Sequence, residues 1–239
     1  MIEVKNLSKK YGDFLALDNL TFKVNKGEIF GFLGPNGAGK TTTIKVLVGL
    51  LKPTSGELKI NGRDIQKDPD VKREIGFIPD FPFLYEKLTA KEFLKFIAGL
   101  YNVNSNGLDE KIYELLSIFN IESWENELIE GFSHGMKQRL VMASALLHEP
   151  KILIIDEPMV GLDPKAARLV KDIFKNLAKK GVTIFLSTHT LAVVEEIADR
   201  VAILQDGKII AIGTLKELQE KAGESSPKLE KLFLKLTES

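Results

Sequence analysis

Gly34-Pro-Asn-Gly-Ala-Gly-Lys-Thr41 is the stretch on which the reading of this chain turns. A glycine, four residues and then Gly-Lys-Thr is the phosphate-loop pattern. Gly34, Gly37 and Gly39 open backbone angles that other residues avoid, so successive N–H groups can curl around a polyphosphate. Pro35, Asn36 and Ala38 supply the rest of that backbone. Lys40 brings a point charge to the β and γ phosphates, and the Thr41 hydroxyl can ligate Mg²⁺. The flanks agree with this. Glu28-Ile-Phe-Gly-Phe-Leu33 reads as an apolar strand entering the loop, and Thr42 to Leu51 as the helix leaving it. The N-terminus of that helix adds partial positive charge beneath the phosphates. A glycine-rich turn beside a surface lysine is the alternative, and it leaves the strand–loop–helix setting unexplained. The expected ligand is a nucleoside triphosphate.

The 239 residues suffice for one large domain with a substantial core. Lys+Arg and Asp+Glu both number 33, so no global positive field argues for nucleic acid. There are no cysteines, which removes disulfides, zinc thiolates and cysteine nucleophiles and suits a reducing compartment. Met1-Ile-Glu-Val-Lys-Asn lacks the layout of a signal peptide. No apolar run approaches the roughly 18 to 20 residues that span a bilayer. The chain is expected to be soluble, and any membrane crossing falls to another protein.

Along the chain, Ile2–Val4, Leu15–Val24, Glu28–Leu33, Gly56–Ile60 and Arg73–Ile78 read as short strands between Gly, Asn, Asp and Pro. Strands in succession suggest an antiparallel layer beside the phosphate-loop unit. Thr89-Ala-Lys-Glu92 is a capping box, followed at helical spacing by Phe93, Phe96, Ile97 and Leu100. Leu108–Phe119 continues the helical pattern. The last third alternates strand Ile152–Ile155, helix Pro164–Lys179, strand Val182–Leu186 and helix Leu191–Ala198, then strands near Val201–Leu204 and Lys208–Ile212. Asp163 can cap the first of those helices, with Pro164 at its first position. This order predicts an α/β fold: a parallel nucleotide-binding core, an antiparallel β subdomain and an inserted α-helical subdomain. The domain layout reads as one unit over residues 1–239. Core and β layer take 1–83 and 151–222, the helical lobe about 84–150, and a C-terminal helix about 226–237. That helix carries Leu229, Leu232, Phe233 and Leu236 on one face, for packing on the core or against a second subunit.

Further stations carry chemistry. Ile152-Leu-Ile-Ile-Asp-Glu-Pro158 is a buried strand ending in two carboxylates, at the end where open α/β sheets bind ligands. Asp156 is placed to hold Mg²⁺, and Glu157 to accept a proton from an attacking water. Two acids opening a solvated turn are the bland alternative. His189 follows the strand Val182–Leu186, where it is either a structural histidine or a contact to the γ phosphate. Phe132-Ser-His-Gly-Met-Lys-Gln-Arg139 opens a helix running towards His148. Ser133 can cap it, leaving N–H groups facing outwards. That helix is an ordinary capped helix or a second anion site, unexpected where one nucleotide already has its loop.

The set resembles the ATP-binding subunit of an ABC transporter, over nearly the whole chain. In that resemblance Gly34–Thr41 is the Walker A loop, Phe132-Ser-His-Gly-Met136 the signature, and Ile152–Glu157 the Walker B strand with its catalytic glutamate. Gly161-Leu-Asp163 is similar to the D-loop, His189 to the switch histidine, and Tyr11 to the aromatic that stacks on adenine. The P-loop core is then of the RecA-like type. The resemblance implies ATP and Mg²⁺ as cofactors, with Lys40, Glu157 and His189 in catalysis and Thr41, Asp156 and Asp80 near the metal. Loop residues 34–41 with Thr42, Tyr11, Ser133, Gly135 and Asp163 would contact nucleotide. It also implies two cassettes meeting head to tail, Ser133 and Gly135 of one reaching the γ phosphate held by the other. The partners implied are an integral-membrane permease and a second copy or a paralogous ABC subunit. The location implied is cytoplasmic, peripheral on the inner face of the cell membrane.

Several residues depart from the family pattern. Pro79-Asp80 stands where the Q-loop glutamine is expected, putting a carboxylate in place of an amide. His134 replaces the first signature glycine, Met136 the glutamine, and Met159-Val160 precede the D-loop. With the closing Leu-Glu-Lys-Leu-Phe-Leu-Lys-Leu stretch these resemble the ABC-2-type exporter branch. Phe81-Pro-Phe-Leu-Tyr85 lies where relatives dock a membrane-subunit helix, unless it packs inside the lobe. A soluble ABC ATPase acting on nucleic acid or ribosomes is the alternative function, disfavoured by balanced charge and a single cassette. A small-molecule P-loop kinase leaves Ser133–Gln138 and His189 without a role.

Overall fold

Two sheets organise the chain, and a computed structural model describes residues 1–221 of it. Strands β1 (Ile2–Tyr11), β2 (Phe14–Val24), β4 (Ser55–Ile60) and β5 (Arg63–Asp64) form an antiparallel sheet in the order β2-β1-β4-β5. Strands β3 (Ile29–Leu33), β6 (Ile75–Ile78), β7 (Ile152–Asp156), β8 (Thr183–Thr188), β9 (Arg200–Gln205) and β10 (Lys208–Gly213) form the second, in the order β10-β9-β3-β8-β7-β6. All its pairings are parallel except β9 with β10.

The continuous apolar runs of β3, β7 and β8 follow from burial on both faces, the hallmark of a covered parallel sheet. Alternate residues enter different cores. Leu153, Ile155, Ile184 and Leu186 pack with helices on one face. Ile152, Ile154, Phe30, Phe32 and Phe185 pack with the antiparallel layer on the other. There Phe22 of β2 stacks on Phe30, centroids 5.7 Å apart and planes 8° from parallel, and Phe185 lies 6.0 Å from both rings. This aromatic cluster joins the two sheets.

Helix α1 (Lys40–Leu47) lies on the aromatic side, and the long α5 (Pro164–Lys179) with α6 (Leu191–Ile197) on the other. Helices α2 (Ala90–Tyr101), α3 (Leu108–Ile118) and α4 (His134–Leu146) pack together through Phe93, Leu94, Ile112, Leu116, Phe119 and Leu140. The capping box at Thr89 and Glu92 is present in full. The N-caps at Ser133 and Asp163 are made as well.

Some expected boundaries shift. The helix after the phosphate loop spans Lys40–Leu47, not Thr42–Leu51, because Gly39 already serves as its N-cap. The stretch Arg73–Ile78 is a strand only from Ile75; Pro69–Glu74 forms a 3₁₀ turn started by Asp68. That strand joins the parallel sheet rather than the antiparallel layer. Strands β7 and β8 run on to Asp156 and Thr188, past the last apolar residue. A further helix, α7 (Leu215–Lys221), caps the β10 end of the sheet. The expected C-terminal helix at 226–237 lies outside the described residues.

Phe185 is fully buried within the aromatic cluster. Phe185→Ala should cost roughly 3–5 kcal/mol, read by urea unfolding, whereas Phe96→Ala on the exposed side of α2 should cost well under half of that.

Candidate functional site

Four parallel strands end on one edge of the sheet, and each delivers part of the site there. Strand β3 leads into Gly34–Thr41, β7 into Asp156 and Glu157, β8 into Thr188 and His189, and β6 into Asp80. The register pairs Leu33 with Thr188 and Asp156 with Ser187, so these groups emerge at one level.

In the loop, Gly37 and Gly39 adopt φ of 83° and 107°, the left-handed region that side chains avoid. Gly34 is glycine for a different reason than its expected backbone freedom. A Cβ there would stand 2.5 Å from the Leu204 carbonyl oxygen. Lys40 is buried, and its Nζ donates to the carbonyls of Gly34 at 2.7 Å and Pro35 at 3.1 Å. Burial pulls its pKa below the usual lysine value, partly offset by Glu157 and Asp156. Glu157 Oε1 stands 4.0 Å from the Lys40 ammonium.

Both strand-end carboxylates are held by hydroxyls. Asp156 accepts from Thr41 Oγ1 at 3.1 Å and from the Ser187 hydroxyl. Glu157 accepts from Thr188 Oγ1 at 2.9 Å, and from the backbone N–H and Nδ1 of His189 at 2.9 and 2.8 Å. Facing a carboxylate, Nδ1 carries a proton and donates it to Glu157. The Glu157 backbone sits at φ 48°, a strained conformation for a glutamate and of the kind that accumulates at functional sites. Asp80 faces the same cleft. Burial, and then Asp156 and Glu157, raise its pKa above the ordinary carboxylate value, while His189 works against that shift.

Asp80, Asp156, Glu157, Lys40, Thr41 and Thr42 line one cleft of about 250 Å³. Asn36, Gly37 and Gly39 line it too, and Tyr11 and Phe14 stand at its mouth. A larger open groove of about 910 Å³ on the antiparallel sheet contains none of these groups. Ser133, Gly135 and Asp163 do not join the cleft of their own chain. Ser133 Oγ accepts from Met136 N–H at 3.3 Å, and Asp163 Oδ1 from Ala166 N–H at 2.9 Å. Gly135 instead faces the Gly161 carbonyl, so the start of α4 and residues 161–163 form a cluster of their own.

Three contributors escaped the sequence reading. Phe14 pairs directly with Tyr11 across the Gly12-Asp13 turn, a hairpin signal that could have revealed it. Ser187 and Thr188 hold the carboxylates only because β8 lies between β3 and β7, an order no local pattern announces. The chemistry fits Mg²⁺. Thr41 and Asp156 already share a hydrogen bond, and their oxygens are a hard, sparse donor set completed by phosphates and water. No group of three or more metal-type ligands occurs among the described residues.

Comparison with known proteins finds relatives of this chain. Residues 17–160 match the family model for "ABC transporter". The SkfA peptide export ATP-binding protein SkfE of Bacillus subtilis is 39% identical over 93% of this chain and 92% of its own. The probable multidrug ABC transporter ATP-binding protein YbhF of Escherichia coli is 38% identical over 99% of this chain, which spans 41% of that relative's length. Among solved structures, an ATP-binding subunit of an ABC transporter superposes with a TM-score of 0.93 at 38% identity, covering 99% of both chains. A dimeric ATP-binding cassette in a post-hydrolysis state, bound to ADP and Pi, gives 0.79 at 28% identity over 90% of this chain and 98% of that one.

Because Asp80 is raised in the folded state, its ionisation opposes folding once the pH exceeds the unfolded-state value, and the penalty is complete above the folded one. Asp80→Asn should therefore raise the thermal midpoint at neutral pH, and that gain should vanish below the ordinary aspartate range. Calorimetry across pH 3 to 8 on both proteins checks the sign.

Proposed function

This chain belongs to the ABC transporter family of ATP-binding proteins, and from that premise we propose that it hydrolyses ATP to drive a separately encoded membrane permease. The observation that carries the reading is the Glu157 carboxylate, oriented by Thr188 and His189 beside the buried Lys40.

In this reading the N–H groups of the phosphate loop and the Lys40 ammonium hold the phosphates, and Tyr11 with Phe14 covers the base. Thr41 and Asp156 would hold Mg²⁺, which when bound would neutralise charge on the phosphate oxygens. Asp80 lines the same cleft and would stand near the ion. Glu157 takes a proton from the water that attacks the terminal phosphorus, while the bond to the ADP oxygen breaks. His189, fixed through Nδ1, would contact the terminal phosphoryl through Nε2, donating to it when that nitrogen carries a proton. Ser133, Gly135 and Asp163 serve the nucleotide of a second copy, arranged head to tail. Their separation from the cleft within one chain supports that arrangement, and so does the dimeric relative with ADP and Pi.

Among the described residues no helix is long and apolar enough to cross a membrane, so in this reading the permease supplies the path. Phe81 and Phe83 are 78% and 81% exposed, whereas Leu84 packs against the helical lobe and Tyr85 against Phe93 and Phe96. Exposed rings beside Asp80 support docking of the permease there. The departures at His134, Met136 and Met159-Val160, with a peptide-export relative, favour the exporter branch.

Glu157→Gln keeps the hydrogen-bond geometry but not the base. Turnover should fall by roughly 10²–10⁴ with ATP affinity retained, and Mg-ATP should accumulate a dimer in sedimentation. A variant that stays monomeric under saturating Mg-ATP would rule out the head-to-tail site.

A further inference from the structure

Gln138 lies in α4 with none of its side chain exposed, and neither amide atom reaches a hydrogen-bond partner. A buried primary amide left in that condition is less favourable than a leucine of similar size. The residue at such a position is expected to have a use for its polarity.

The direction of the side chain is set by the helix. Helical side chains lean towards the N-terminus, over the preceding turn. For Gln138 that turn holds His134 and Gly135, and Gly135, three residues back, has no side chain to fill the space. Across it lies Gly161. A Cβ on Gly135 would stand 3.4 Å from the Gly161 carbonyl oxygen, and His134 ring atoms lie 3.1 Å from where a Gly161 Cβ would be. Among the described residues no group donates to that carbonyl. A donor without an acceptor therefore lies one helical turn from His134 and Gly135, which themselves stand against a carbonyl without a donor. The segment also leads back to the catalytic edge, since Val160 N–H donates to the Glu157 carbonyl at 3.3 Å.

We propose that Gln138 is a positioning residue, whose Nε2 donates to the Gly161 carbonyl when a second copy closes over the nucleotide. The inference rests on the head-to-tail reading given above. Engagement of Ser133 with the partner's nucleotide would press the start of α4 towards residues 159–163, and the Gln138 amide would hold that segment in its closed place. Through Val160 the same contact fixes the backbone of Glu157. Gln138 thus acts through its neighbours and touches no reacting atom.

The test uses the full chain with Gln138→Leu and Gln138→Met, each alone and combined with Glu157→Gln. Thermal midpoint without nucleotide, ATP affinity, Mg-ATP-dependent dimer fraction, and kcat and KM are measured. The leucine variant should keep or raise the midpoint and leave KM unchanged, while kcat and dimer formation fall roughly tenfold. The methionine variant, which keeps length and flexibility without a donor, should lose as much. Unchanged kcat and dimer fraction in either variant overturn the inference. So does a lowered midpoint in the leucine variant, which would mean that the amide already has its partner in the resting chain. A Glu157→Gln parent that never dimerises overturns the head-to-tail reading and this inference with it. A parent that dimerises while its Gln138 variants dimerise equally overturns this inference alone.

Discussion

The register of β3, β8 and β7 is the constraint from which the rest of the site follows. Leu33 pairs with Thr188, and Asp156 with Ser187, so a loop, two carboxylates and a histidine leave the sheet at the same height. A one-residue slip would turn every side chain of a strand to the other face. Here both faces are committed, one to the phenylalanine cluster and one to the helices, so a slip would bury the wrong set. The apolar core therefore fixes where the hydroxyls of Ser187 and Thr188 stand, and these in turn aim Asp156 and Glu157.

What the register brings together is an unfavourable concentration of charge. Asp80, Asp156 and Glu157 share a narrow cleft with a single buried lysine. The raised pKa of Asp80 and the lowered pKa of Lys40 are two signs of the same burial, each disfavouring the ionised form. Hydrogen bonds from Thr41, Thr188 and His189 stabilise the carboxylates in part. A divalent cation would complete the balance, and a triphosphate would then meet Lys40, the loop N–H groups and the start of α1. The cleft is thus poised for metal and nucleotide together more than for either alone.

The legible parts were those with local signals. The phosphate loop, the capping box at Thr89 and Glu92, and Asp163-Pro164 opening α5 are each written in a few consecutive residues, and the structure has them where they were read. Strand ends were harder, because β7 and β8 run past their last apolar residue into Asp156 and Thr188. Hydrophobic pattern marks where apolar side chains stop, while burial and the hydrogen-bonded ladder both continue into the site through Asp156, Ser187 and Thr188. Strand order was not readable at all. Ser187 and Thr188 stand against Asp156 and Glu157 through that order, so no local pattern marks them. The need for glycine at position 34 is not local at all, since it is set by the carbonyl of Leu204, a residue far along the chain.

The separation of Ser133, Gly135 and Asp163 from the cleft has a physical consequence of its own. Each chain holds a nucleotide-facing edge and, elsewhere, a capped helix start beside Gly161. The second cluster exposes backbone N–H groups and a helix N-terminus, which gain most from an anion that the same chain cannot deliver to them. In the proposed dimer the terminal phosphate meets the need of both surfaces at once, and loses that role when the bond to it breaks. Residues 157–163 are the covalent link between the two surfaces, from Glu157 at the cleft to Asp163 at the cap of α5. In the proposed dimer a shift in one surface would reach the other through these residues, and the close packing of His134 and Gly135 on Gly161 is the contact through which it would pass.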